Sequence, residues 1–135
     1  MCNLTTELKY DKVIVFKLAA KKKGTQEYYS LAMGSKYPKD GNIRRVRRQN
    51  RLSRVHANDI LINPNIFEEN MIGRTAGYSD YLDAVNEKRV HIDLVEEGYT
   101  PVILVVELSE DLMKGKYGAS EVYAGRHIKI LTEVD

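Results

Sequence analysis

"PVILVVEL", residues 101 to 108, is the longest apolar run in the chain and the stretch from which the fold is read. It is far too short to span a bilayer but suits a strand, and near-continuous hydrophobicity marks a strand buried on both faces at the centre of a sheet. Just upstream, "VHIDLV" (90–95) alternates apolar and polar residues, which predicts a strand with Val90, Ile92 and Leu94 inward, and "EEGYTP" (96–101) turns the chain between the two. Downstream, "EVYAGRHIKIL" (121–131) predicts a last strand with Val122, Ile128 and Ile130 inward.

Toward the N-terminus, "VIVFKLA" (13–19) and "EYYSLAM" (27–33) are rich in β-branched and aromatic residues and flank the polar "AKKKGTQ" (20–26). This is a hairpin with a basic tip. "GSKYPKDGN" (34–42), with its Asp-Gly pair, reads as a short polar turn. "DILINPN" (59–65) offers a short strand ended by Asn-Pro, and "NIFEENMIG" (65–73) one or two helical turns closing at Gly73.

The clearest helix is "YSDYLDAVNEKR" (78–89), with Ser79 as cap, Asp80 and Asp83 early, and Lys88 and Arg89 late. Tyr81, Leu82, Ala84 and Val85 form its apolar stripe. Strands, a basic segment, a strand, a helix and three strands together predict an α+β fold: a mostly antiparallel sheet with one or two helices, in a single domain over residues 1–135.

Charge is unevenly spread along the chain. Residues 1–54 hold fourteen Lys and Arg against four Asp and Glu, a balance of +10, whereas residues 55–135 hold seven against fifteen, a balance of −8. Such asymmetry points to nucleic acid or a charged partner unless the two portions neutralise each other on folding. The densest point is "NIRRVRRQNRLSR" (42–54), which carries Arg44, Arg45, Arg47, Arg48, Arg51 and Arg54. Guanidinium groups bind phosphate and carboxylate through paired planar hydrogen bonds, so Arg in place of Lys favours recognition over mere solubility.

The apolar residues Ile43, Val46, Leu52 and Val55 fit a helical face, which would align Arg44, Arg47, Arg48 and Arg51. An extended arm would instead put Arg45 and Arg47 opposite Arg44, Val46 and Arg48. Lys21, Lys22 and Lys23 extend the surface if the hairpin lies beside it. The alternative is a solvated basic face paired with the chain's own acidic portion or with a second subunit.

Tyrosine is plentiful, nine residues against two Phe and no Trp, and near the basic turns Tyr28, Tyr29 and Tyr37 are candidates to stack on bases. No metal or cofactor is expected: His56, His91 and His127 are far apart, and no phosphate-binding glycine motif or nucleophile elbow occurs. Cys2 has no disulfide partner and sits at an end expected to fray. This agrees with a reducing cytoplasm and with the lack of a signal segment or membrane span.

The early "VFKLAAKKKGTQEYYSLAMGSKYPKDGN" (15–42) and the late "VILVVELSEDLMKGKYGASEVYAGRHIKIL" (102–131) resemble small uncharacterised bacteriophage proteins of host-takeover or anti-defence type. The resemblance implies a binding protein in the host cytoplasm whose partner is nucleic acid, a nucleotide or an acidic host defence protein. A second resemblance is to the ADP-ribosyltransferase fold, through "AGYSDYLDAVNE" (76–87) and "SEVYAGRHIKIL" (120–131). It implies Glu121 as catalytic acid and Tyr78 or Tyr81 stacked on nicotinamide, although Ala119 stands where that fold carries a second glutamate.

Overall fold

The apolar run lies inside an eleven-residue strand that pairs over its whole length with the first strand of the predicted hairpin. A computed structural model describes residues 2–32, 34–43, 52–54 and 73–135. In chain order its strands are β1 (Cys2–Glu7), β2 (Lys12–Lys22), β3 (Tyr28–Tyr29), β4 (Asp40–Asn42) and β5 (Thr75–Tyr78). After helix α1 (Tyr81–His91) come β6 (Tyr99–Ser109), β7 (Met113–Tyr117), β8 (Ser120–Gly125) and β9 (His127–Glu133). The order across the sheet is β1-β7-β8-β5-β2-β6-β9-β4, with β3 also on β2, and every pairing is antiparallel.

The expected mostly antiparallel sheet is present, with the helix α1 packed on it. That helix is neither long nor apolar enough to cross a membrane.

β2 and β6 pair from Lys12 with Ser109 to Lys22 with Tyr99, so both strands keep one face in common. On the inner face Val15, Ala19, Val102, Leu104, Val106 and Leu108 are buried with Leu112 and Ile128. Each such aliphatic contributes about 1.5–3 kcal/mol on burial. The sheet curls over this core. β8 lies three places from β6 in the strand order, yet a Cβ on Gly125 would sit 2.7 Å from the Ser109 carbonyl oxygen, and Tyr123 packs against the same core. On the outer face Ile103 is fully buried and α1 packs across β2 and β6, with Tyr81 edge-on to Phe16 at 5.4 Å.

Several local expectations are corrected. Cys2, expected in a frayed end, begins a strand paired with β7. The Asp-Gly turn signal at 40–41 is overridden, because residues 40–42 pair with His127 to Lys129 as β4. "VHIDLV" is not a strand: α1 runs on to His91, whose ring is fully buried and whose Nδ1–H donates to the Glu87 carbonyl at 2.8 Å. Val90 and Ile92, expected inward, are 56% and 57% exposed.

The helix cap is Asp80 rather than Ser79, its carboxylate accepting from the Leu82 N–H at 2.8 Å. The last predicted strand is two, β8 and β9, because Arg126 leaves the ladder to donate its N–H to the Glu110 carbonyl at 3.0 Å. The predicted strand in "DILINPN" and all but the end of "NIFEENMIG" lie outside the described residues.

Candidate functional site

The hairpin tip divides the three predicted lysines. Alternation along β2 turns Lys21 toward the inner face, where its Nζ lies 3.0 Å from Glu133 Oε2. Its cross-strand partner Tyr28 is buried, and its hydroxyl donates to the same carboxylate oxygen at 2.8 Å. Burial, reinforced by the Glu133 charge, pushes the Tyr28 phenol up to about 12. Burial pushes the Glu133 carboxyl up as well, but the hydrogen bonds from Tyr28 and Lys21 outweigh it and hold that group below the ordinary carboxylate range. Tyr28 is thus buried, and Lys21, half-buried, already holds a carboxylate. Lys22 and Lys23, by contrast, are exposed, and the loop is closed by the Lys22 N–H on the Glu27 carbonyl and the Lys23 N–H on the Gly98 carbonyl, both 3.0 Å.

Of the three tyrosines named for stacking, only Tyr29 stands by the exposed tip. Tyr37 lies beneath the ammonium of Lys17, 5.0 Å from the ring centroid, and packs against the core. Tyr29 is half-buried, and its hydroxyl donates to Glu27 Oε2 at 3.2 Å. Burial, then the Glu27 charge, raises that phenol above its ordinary value. Its ring meets Tyr99 edge-on, with centroids 5.6 Å apart. Tyr99 is the cross-strand partner of Lys22, and its placement beside Tyr29 was not legible in the sequence. Its proximity depends on a register between strands nearly eighty residues apart.

The arginine-rich segment is rooted at both ends. At one end β4 leads to Ile43, whose N–H donates to the Arg126 carbonyl at 2.6 Å, while Asp40 and Asn42 oxygens lie 2.7 and 2.8 Å from the two ring nitrogens of His127. At the other end Leu52 is buried against Ala20 and Leu31, beside Tyr29 and Tyr99. Its N–H donates to the Leu31 carbonyl at 3.2 Å and its carbonyl accepts from Glu96 at 2.9 Å. His127 pairs with Ser109 and Leu52 lies by Tyr99, so the two roots sit toward opposite ends of β6. Arg44, Arg45, Arg47, Arg48 and Arg51 lie outside the described residues. Arg54 is exposed, and its Nη2 donates to the Asp93 carbonyl at 3.3 Å.

Several carboxylates of the acidic portion are occupied by cations other than these. Asp135 pairs with Lys88 at 2.9 Å, Asp111 with Arg126 at 2.9 Å and Glu121 with Lys114 at 3.2 Å, all within that portion. Across the divide run Lys21 to Glu133 and the longer Lys12 to Glu107 contact at 4.0 Å. Asp93, Glu96 and Glu97, in the stretch whose backbone bonds Leu52 and Arg54, are exposed.

Glu121 lies on β8 next to Tyr78, which is the cross-strand partner of Val122. Hydrogen bonds from Lys114 and Tyr123 hold its carboxyl below the ordinary range, so it is ionised and ion-paired. The Tyr78 ring faces Tyr117 with centroids 6.4 Å apart, and Tyr81 is taken up by Phe16.

Set against known proteins, the chain matches no family model, no curated protein and no solved structure.

Proposed function

We propose that this is a small binding protein of bacteriophage type that engages a phosphate-bearing ligand, nucleic acid before free nucleotide, through its arginine-rich segment. The carrying observation is that the segment is rooted at both ends on the sheet while the described cations beside its second root, Lys22, Lys23 and Arg54, are exposed and form no ion pair among the described residues. A polyanion gives such cations counter-charge and gains from the counterions it releases. Four carboxylates of the acidic portion, Asp111, Glu121, Glu133 and Asp135, already hold Lys or Arg partners, which withdraws them from neutralising the arginines at home. Phosphate contacts of this kind position a nucleic acid without reading its sequence.

The test is fluorescence anisotropy with labelled oligonucleotides over a salt series. Affinity is expected to fall steeply with salt, and the triple variant Arg44→Gln, Arg47→Gln, Arg51→Gln to bind far more weakly with a shallower salt slope while keeping its circular dichroism. Salt-insensitive binding, or undiminished binding by the folded triple variant, would sink the proposal. An acidic host protein is the partner left if no phosphate-bearing ligand binds.

A further inference from the structure

We infer that Tyr29 and Tyr99 form a base-stacking platform, which makes the ligand a single strand. This rests on the proposed polyanion binding and adds to it the class of nucleic acid. The two rings meet edge to face, an arrangement that uses one face of one ring and leaves the others for neighbours. Neither residue is buried, although both pack against the cluster of Ala20, Leu31 and Leu52.

Their position joins an aromatic surface to cations. Tyr99 stands opposite Lys22, Tyr29 stands opposite Ala20 two residues earlier on β2, and Leu52 ties the arginine-rich segment to the same cluster, with exposed Arg54 two residues on. The platform is braced rather than loose. The Tyr29 hydroxyl is held by Glu27, and Glu27 is paired with Lys36 at 3.0 Å, so this carboxylate does not present an unscreened charge to a phosphate.

Stacked aromatics flanked by cations are the recognition surface of single strands, whose bases have free faces. Duplex bases are stacked on each other and offer a protein only their edges and the backbone. Tyr28 and Tyr37 cannot share this role, since one is buried under Glu133 and the other lies beneath Lys17.

The experiment compares oligothymidylate, oligouridylate and a duplex of equal length, each against the full chain and against Tyr99→Leu, Tyr29→Leu and Tyr99→Phe. The single strands are expected to bind more tightly than the duplex, with the two homopolymers showing whether DNA or RNA is preferred. Each leucine variant should lose roughly 5- to 150-fold in single-strand affinity, the equivalent of about 1–3 kcal/mol per stacked base, with its salt slope unchanged. Tyr99→Phe keeps the ring face and should retain binding, which separates stacking from a folding defect.

Duplex binding equal to or tighter than single-strand binding overturns the inference and leaves the polyanion reading standing. So does full single-strand affinity in both leucine variants. Absence of binding to all three probes removes the polyanion reading itself.

Discussion

The Tyr28 hydroxyl and the Lys21 ammonium converge on one oxygen of Glu133, at 2.8 and 3.0 Å, and so tie the root of the basic hairpin to the last strand of the sheet. Tyr28→Phe removes a hydrogen bond to a charged acceptor and should cost about 1.5–3 kcal/mol near neutral pH. The pH dependence has two limbs. The Glu133 carboxyl is lowered in the folded state, so its contribution is present above the ordinary carboxylate range and is lost as pH falls through the lowered folded value. Tyr28 is raised to about 12, so stability is full below the unfolded phenol value and drops by on the order of 2 kcal/mol as pH rises through the window up to that point. Urea denaturation across pH checks both limbs, and the alkaline loss should shrink in Tyr28→Phe by the share that Tyr28 contributes.

Lys17 predicts a different response. It points into the core face of β2, is only 7% exposed, and its Nζ donates to the Ala76 carbonyl at 2.6 Å while lying over the Tyr37 ring. β5 pairs with β2 through Tyr78 and Phe16, and the ammonium takes up the next carbonyl on that side. Lys17→Met keeps the length but strands the carbonyl, and should destabilise by about 1–3 kcal/mol by thermal melting.

Gly77 marks the closest approach of β5 to β2. A Cβ there would collide with the Val15 side chain and come within 3.1 Å of the Phe16 carbonyl oxygen. Gly77→Ala should cost about 1–3 kcal/mol through overpacking, and Val15→Ala in the same chain should recover part of that loss if the contact is the cause. A double-mutant cycle in denaturant measures it.

The cap of α1 is a smaller but sharp test. Asp80→Ala should lower stability by about 1 kcal/mol, because the Leu82 N–H loses its acceptor, and Asp80→Asn should restore most of it.

Much of the sheet was legible in the chain because strands buried on both faces leave a strong local trace, as "PVILVVEL" does within β6. The helix start was legible to within one residue for a similar reason, since capping chemistry is local. His91 shows where local reading ends: the alternation of Val90, Ile92 and Leu94 imitates a strand, but burying the imidazole under one more helical turn won. The site was half legible. Lys22, Lys23 and Tyr29 stand where a basic, aromatic tip was expected, whereas Lys21 and Tyr28, identical in type to their neighbours, are turned inward by strand alternation and captured by Glu133.

The sequence by itself determined that 13–19 and 101–108 are buried strands, where the helix starts to within one residue, and that the first portion of the chain is basic and the second acidic, because hydrophobic period, capping and charge are carried by residues close together. Only the tertiary structure decided which tyrosine meets which lysine. The register of β2 on β6 sets Tyr99 opposite Lys22, and the curl of the sheet brings Ser109 to Gly125, contacts between residues far apart in the chain that no local pattern encodes.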